Sequence, residues 1–444
     1  MSRLTENGGL LPPAKIWLLA VGEPLPTDPG TPRLLRAGLL ASQMAASGLQ
    51  VTWWTSAFDH TQKRTRPDTA ARPATPLPYA LQLLRGDPYR SNVSMARIRN
   101  HRQVAADFAQ RAPSETAPDL IFAAYPTIEL CEAALAYAKP RRIPVVLDMR
   151  DLWPDIFVNL GPGWAQPLAR QLLKPMMRAS HRACAGATAI TGITEAFVDW
   201  GVARAGRQRH EWDQAYPLAY HARLPDAAAL ASARAQWDAR GLGANQPMVC
   251  FFGTLGRQFD IPGLIAAARL VADTPLQMVI CGTGDRLDEY RQLAADLPRV
   301  HFPGWVDAAA INALMERSLA GLAPYHSEMS FTMSLPNKAI EYLAGGLPVL
   351  STLRGELQTL LRTCGCGITT AEGDPQALAG ALRVLLADTQ GRAKMADNAR
   401  LTYKTQFVAE TVYGRLIKHL GLIAMQHRQG RTPGAIAARP PGMS

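Results

Sequence analysis

The chain has 444 residues, 48% of them hydrophobic and 19% charged, with a net charge of +11. That length exceeds what one hydrophobic core serves, so two domains of about 150–200 residues are expected, and disordered, fibrous and all-β classes are excluded. No run approaches the roughly 18 uncharged apolar residues of a membrane span, and residues 1–14 lack the order of a secretory signal. The six scattered cysteines suit a reducing compartment.

Lys15–Gly22 is a continuous apolar run, the pattern of a buried parallel strand. A Pro-rich loop from Glu23 to Gly30 follows. Thr31 and Pro32 then read as the start of a helix with Leu35, Leu39 and Met44 on its apolar side, ending at Gly48. Gln50–Thr55 is the next strand, so the chain opens as a β-α-β unit whose first loop lies where such folds hold ligands. Residues 56–92 show no period and read as a long basic, Pro-rich loop. A helix over Val93–Arg111 follows, with strands at Asp119–Ala124 and Pro144–Asp148. The spacing then predicts a helix over Ala165–Ala183 and a strand over Gly186–Ile193.

Ala222–Asn245 is Ala-rich and reads as a helical connector. A second series begins at Met248, with strands at Met248–Phe252, Gln277–Cys281, Val300–Phe302, Gly321–Pro324 and Pro348–Ser351. A helical stretch runs from about Asp374 to Arg428, broken near Gln390–Gly391. Gly430–Ser444 reads as a disordered tail. The expected architecture is α/β: two Rossmann-like doubly wound domains, 15–220 and 245–408, facing each other across a deep cleft. A helix over 409–428 is expected to pack back on the first domain, with the tail at 429–444.

The charge is concentrated. Residues 60–111 carry ten basic side chains against three acids, a net of +7, while the rest of residues 1–220 balances. Such a patch points to an anionic partner. A nucleic-acid-binding module is one reading, but base stacking needs aromatic residues among the basic ones. Only Tyr79, Tyr89 and Phe108 occur there, none within Arg97–Arg102.

Three motifs of the second half carry chemistry. Gly253-Thr254-Leu255-Gly256-Arg257 follows a strand, so backbone amides can approach a ligand and Arg257 can meet a diphosphate. Gly282-Thr283-Gly284 stands between a strand and a helix, as in nucleotide pockets, without the third glycine of a dinucleotide fingerprint. In Ser334-Leu335-Pro336-Asn337-Lys338, Pro336 opens a helix whose free N–H groups attract anions. Lys338, in the first turn, is unfavourable there without an anionic partner. Glu341, one turn on, can reach sugar hydroxyls. Asp151 follows a strand end and reads either as the group that orients or deprotonates an acceptor hydroxyl or as a loop carboxylate. His60 and His181 read mainly as structural.

The run from Pro336 to Ser351, with Gly253–Arg257 and Val279–Asp285 before it, resembles the retaining family 4 glycosyltransferases of the GT-B fold. Asp151-Leu-Trp-Pro154 and Gly48–Thr52 match the branch that serves capsule, O-antigen and exopolysaccharide synthesis. The resemblance spans about residues 15–425. It implies a nucleotide-sugar donor, UDP-linked in that branch, held mainly by the second domain, and transfer with retention to a polysaccharide precursor, commonly lipid-linked. Glu341 would bind ribose hydroxyls, Ser334, Leu335, Pro336 and Asn337 the diphosphate, and Arg257 and Lys338 its growing charge. Gly253, Thr254, Gly256, Gly282 and Gly284 would line the donor site, and Trp305 and Val306 the base. Glu23, Gly30 and Arg33 would flank the first loop.

Three positions depart from the family. Met333 stands where the first of two paired glutamates is usual, with Glu328 nearby. Thr254 and Phe259 stand near the usual Arg and Lys, and the first loop keeps only Gly30. The chain has no Asp-x-Asp pair, so no metal and no cofactor are expected. A nucleotide-sugar epimerase of the same fold is the alternative.

Arg170, Lys174, Arg178 and Arg182 recur every four residues beside Leu168, Leu172, Leu173, Met176 and Met177. That stripe suits an anionic bilayer. The expected place is cytoplasmic, peripheral on the inner membrane, with the acceptor entering on the first-domain side and no nucleic acid bound.

Overall fold

The computed structural model describes residues 14–30, 32–71, 75–158, 163–222 and 225–435. The chain folds as two compact units: the first runs to Pro217 and resumes at Ala409, and the second spans Leu218–Val408.

The first unit is built on a parallel sheet. Its strands are β1 (Lys15–Leu19), β2 (Gln50–Ser56), β5 (Ala80–Leu84), β6 (Leu120–Tyr125), β7 (Val145–Met149), β8 (Ala189–Gly192) and β9 (Gln214–Ala215), in the order β5-β2-β1-β6-β7-β8-β9. A small antiparallel hairpin, β3 (Phe58–Asp59) and β4 (Arg64–Thr65), stands apart. Ile16–Leu19 are fully buried because helices cover both faces. On one face Trp17 packs its ring 5.2 Å from Trp54, 5.9 Å from Phe108 and 5.0 Å from Tyr137.

The sheet order reverses about β1, so the chain returns to the far side of β1 only at β6. β5 lies within the stretch that reads as structureless. Its Ala80–Leu84 run is short, and its alternation is hidden among prolines. The first helix is Arg36–Ala46 and begins later than expected, with Ala37, Leu40, Ala41 and Met44 as its core face and Leu35 outside it; Thr31 lies outside the described residues. The expected helix Ala165–Ala183 is two helices, Gln166–Leu172 and Lys174–Gly186, because Pro175 cannot donate the bond that would continue the first.

Arg36 explains the displaced helix start. Its side chain is buried and donates from Nε to Asp148 Oδ2 at 2.9 Å and from a terminal nitrogen to Oδ1 at 3.0 Å. Arg150 donates to Asp148 Oδ2 at 2.7 Å and to Glu23 at 2.5 Å, and Glu23 accepts Ala37 N–H at 2.8 Å. Thr191 adds a hydrogen bond to Asp148 at 2.9 Å. The loop after β1, the helix and strands β7 and β8 are thus tied by one buried network.

The second unit holds β10 (Met248–Phe252), β11 (Gln277–Cys281), β12 (Val300–Gly304), β13 (Ser318–Ala323), β14 (Val349–Ser351) and β15 (Gly367–Thr369) in the parallel order β12-β11-β10-β13-β14-β15. Residues 225–245, expected to be part of a connector, belong to the second unit. Helix Ala227–Ala239 packs on helix Ala308–Arg317, with Trp237 buried and donating to Ala310 O at 2.9 Å. The last helical stretch is three helices, Pro375–Ala387, Thr389–Gln406 and Ala409–Arg428. The last of these returns to the first unit, where Gln43 bonds Glu410 O at 2.6 Å and Trp212 bonds Gln426 at 2.8 Å. The described start of the expected tail is ordered: Glu211 N–H donates to Gly434 O at 3.1 Å, and Ala435 bridges to His210. Residues 436–444 lie outside the described residues.

Burial alone would raise the Asp148 carboxyl, but Arg36 and Arg150 outweigh it and hold the group far below the usual carboxylate range. Its contribution to stability is therefore present above the unfolded carboxyl's titration and is lost as pH falls below it. Arg36→Met should strand the buried charge and cost about 3–5 kcal/mol, read by urea denaturation at neutral pH. The loss should shrink in acid, and an unchanged midpoint would contradict this account of the network.

Candidate functional site

Ligands of parallel sheets bind at the carboxyl ends of the strands. In the second unit the three sequence motifs meet there. Gly253 directly follows β10 and Gly282 follows β11, with φ of +148° and +137°. Gly253 N–H donates to Cys281 O at 3.0 Å, Leu255 N–H to Thr283 O at 2.9 Å and Gly282 N–H to Gly304 O at 2.7 Å, so the turns lie side by side. A Cβ on Gly282 would overlap the Gly253 carbonyl, one on Gly284 the Leu255 carbonyl, and one on Gly253 the Lys338 ammonium. Only glycine permits this packing.

Lys338 extends from the first turn of helix Asn337–Ala344 and lies 5.3 Å from the Phe251 ring centre and 5.2 Å from that of Phe259. A cation held against two rings beside bare backbone is a preformed anion partner. Glu341, 8% exposed, sits one turn further on the same helix. Burial, and then the Glu341 charge, push the Tyr325 phenol up. Tyr325 bridges to Phe259, and Asp260 N–H donates to Pro324 O at 2.7 Å, so the segment after Gly253 is pinned to the end of β13. Helix Asn337–Ala344 is pinned by Tyr342, whose hydroxyl donates to Leu322 O at 3.1 Å and whose ring covers Gly321.

Around this centre Ser334 and Pro336 are buried, Leu335 is half-buried and Asn337 is exposed at the helix start. Thr254 is exposed and Gly256 half-buried, the Gly256 N–H donating to Thr254 O at 2.9 Å. Arg257 is exposed and makes no ion pair or hydrogen bond among the described residues. Trp305 follows the edge strand β12 with 73% of its surface exposed, and Val306 beside it is half-buried. Met333 ends the short helix Met329–Thr332, and Glu328 is exposed at its start. Sequence reasoning missed Glu372. It accepts Ser327 N–H at 2.9 Å and lies 2.7 Å from His326 Nδ1, fixing the loop before that helix. A lone carboxylate after a three-residue strand gave no signal.

In the first unit Glu23 is occupied by Ala37 N–H and Arg150, while Gly30 and Arg33 are exposed and Gly30 has a φ of +86°. Asp151 follows Arg150, which bonds Glu23. It lies after β7, where burial raises its carboxyl against the opposing Leu152 N–H and the Arg97 charge. The basic segment is partly neutralised within the protein. Arg64, Arg66, Arg85, Arg99 and Arg111 pair with acids; Arg72 lies outside the described residues. His181 lies 2.8 Å from Arg204 O and serves the packing of its helix. All six cysteines are free. Among the described residues no group of three or more His, Cys, Asp or Glu is set to hold a metal ion, and no helix is long and apolar enough to cross a membrane.

Residues 246–388 match the family of glycosyl transferases group 1. A stretch of 173 residues, 38% of this chain, is 28% identical to the lipopolysaccharide core biosynthesis glycosyltransferase LpsE of Rhizobium meliloti (strain 1021). The match covers 48% of that protein, so the chain spans about half the length of this curated relative. Among solved structures, the chain is similar to sucrose-phosphate synthase from Thermosynechococcus elongatus, with a TM-score of 0.69 and 18% identity over 94% of this chain and 100% of that one. It is also similar to Anabaena HepE in complex with UDP-glucose, with a TM-score of 0.61 and 18% identity over 92% of this chain and 100% of that one. At these identities the likeness concerns the fold: each unit is a Rossmann-like α/β domain, as in GT-B glycosyltransferase structures.

Gly282→Ala should force a side chain into the Gly253 carbonyl at a φ that L residues avoid, costing at least about 1–3 kcal/mol. The check is the urea midpoint of the purified variant; a wild-type midpoint would mean that the two turns do not touch.

Proposed function

We propose that the protein is a retaining family 4 glycosyltransferase that moves a sugar from a UDP-linked donor to a polysaccharide precursor. The observation that carries this reading is the convergence of Gly253, Gly282, Gly284 and Lys338 at the carboxyl ends of β10 and β11, with Glu341 one turn along the Lys338 helix. Support comes from the family match over residues 246–388 and from a neighbour of the same fold solved with UDP-glucose.

On this reading the donor lies with its base against Trp305 and Val306 and its ribose hydroxyls on Glu341. The diphosphate faces the backbone of Gly253, Thr254, Gly256 and residues 334–337. Negative charge on the diphosphate grows as the sugar–oxygen bond breaks. Lys338, already fixed between two rings, and Arg257, free to swing in, stabilise that charge without reorganising solvent, which is where electrostatic catalysis is strongest. These two cations can do the work that a divalent ion does elsewhere. Asp151 then orients the acceptor hydroxyl or takes its proton. Its raised pKa, the effect of burial opposed by Arg97, suits an exchangeable proton.

The acceptor is taken to be lipid-linked, with the protein peripheral on the cytoplasmic face of the membrane. Trp164, Leu168 and Leu172 are 84%, 62% and 71% exposed, an unusual outlay of large apolar surface next to the exposed Arg170, Lys174 and Arg178. Lys174, Met177, Arg178, His181 and Arg182 line a shallow open depression, although Arg182 is shared with Glu132 at 2.7 Å. Apolar anchors beside basic residues fit an anionic bilayer.

Glu341→Gln should weaken UDP binding by roughly 1.5–3 kcal/mol, measured by calorimetry. Arg257→Ala and Lys338→Ala should each lower kcat more than they raise KM, and EDTA should leave the wild-type rate intact; strict dependence on Mg²⁺ or Mn²⁺ would contradict the mechanism. Flotation should recover the protein with anionic but not neutral liposomes and should fail when Trp164, Leu168 and Leu172 become Ser. Equal recovery with both vesicle types would remove the membrane from this reading.

A further inference from the structure

Among the described basic residues of this segment Lys63, Arg90, Arg97 and Arg102 form no ion pair, and the fold brings Lys63 and Arg97 together. Lys63 lies on the turn between β3 and β4, and Arg97 in the first turn of helix Met95–Arg111. Both bind Asn92: Lys63 donates to its side-chain oxygen at 2.5 Å and Arg97 to its carbonyl at 2.8 Å. Both lie on the Tyr89 ring, at 5.0 Å and 6.0 Å from its centre. Neither forms an ion pair with a described carboxylate. Asp59, the acid on the hairpin, is committed to Arg64, Arg66 and the N–H groups of Thr61 and Gln62. Asp151 acts on Arg97 from a distance, as a buried carboxyl whose pKa is raised.

The surroundings are built to hold these charges and not to cancel them. His60 Nδ1 lies 2.6 Å from the Tyr89 hydroxyl, and burial with the Lys63 and Arg97 charges pushes His60 down to about 4, so the imidazole is neutral. Trp153 stacks on His101, and the Arg97 guanidinium lies 4.5 Å from the Trp153 ring centre. The Arg97 Nε is buried and has no partner. Lys63 holds φ at +55°, a conformation a non-glycine residue adopts only when its surroundings compel it. The parts come from the ends of β2, β5 and β7, the ligand-binding edge of this sheet. Two like charges held together by Asn92 and Tyr89 without an ion-pair partner, with a buried donor unused, await an anion.

We infer that Lys63 and Arg97, framed by His60, Tyr89 and Trp153, form an anion pocket of the first unit that takes the phosphate or diphosphate joined to the acceptor sugar. This rests on the transferase reading for the word acceptor, but not for the pocket. Placed beside Asp151, it would hold the charged end of the acceptor while that carboxyl meets the hydroxyl. Lys63 and Arg97 are positioning residues in this scheme.

Amide hydrogen exchange of the whole protein with inorganic pyrophosphate tests the pocket. Exchange should slow in residues 58–66 and 88–98, and the slowing should vanish in the Lys63→Gln and Arg97→Gln variants, each first shown by its melting curve to be folded. No slowing there, or equal slowing in the variants, would overturn the pocket whatever the enzyme does. Phosphatidylcholine vesicles carrying a polyprenyl diphosphate should protect the same segments. Equal protection by vesicles carrying phosphatidylglycerol would mark a general headgroup site and overturn the acceptor assignment. In turnover, the variants should raise KM for a diphosphate-linked acceptor at least about tenfold, as lost charged hydrogen bonds do, with KM for the donor unchanged. A matching rise with a phosphate-free acceptor would also overturn it.

Discussion

The backbones of Gly253 and Gly282 approach each other more closely than any side chain permits. This one contact sets the chemistry of the second unit. It leaves a floor of peptide groups with no side chain above it, and it leaves room for the Lys338 ammonium to enter from the helix that opens at Asn337. The Phe251 and Phe259 rings lie against that cation. Glu341 follows on the same helix, so this carboxylate and the Lys338 cation are one turn apart and move together. Tyr342, locked under β13, keeps that helix from shifting.

The first unit solves a different problem with charge inside the fold. Its loop after β1 is long and exposed at Gly30, yet its root is held by Glu23, Arg150, Asp148 and Arg36. Such a network adds little net stability, since desolvation offsets attraction, but it tolerates few alternative arrangements. Arg66, with Asp28 at 2.7 Å, extends the same tactic to the hairpin. The arginines that remain outside these pairs are then the ones available for partners, which is why the raw count of basic residues overstated the patch.

The fold was legible because parallel strands buried on both faces leave continuous apolar runs, as at Ile16–Leu19 and Val249–Phe252. The motifs of the second unit were legible because glycine, proline and a first-turn lysine are costly where they stand unless a ligand or a tight turn requires them. β5 was not legible, because Pro76, Pro78 and Pro88 around it read as loop. The break at Pro175 was masked by a basic period that continues across it. Arg36 gave no signal: its acid lies 112 positions away, and pairing at that range leaves no local trace. The Lys63–Arg97 pair escaped for the same reason, being joined by Asn92 and Tyr89 and not by spacing.

The claim on which the account rests is that the carboxyl ends of β10, β11 and β12 hold a nucleotide sugar. Photo-crosslinking with 5-azido-UDP-glucose followed by peptide mapping tests it directly. The account predicts labelling next to Trp305, in the peptide that follows β12, suppressed by excess UDP and much reduced in Glu341→Gln. Labelling confined to the first unit, or labelling that excess UDP does not suppress, would contradict it.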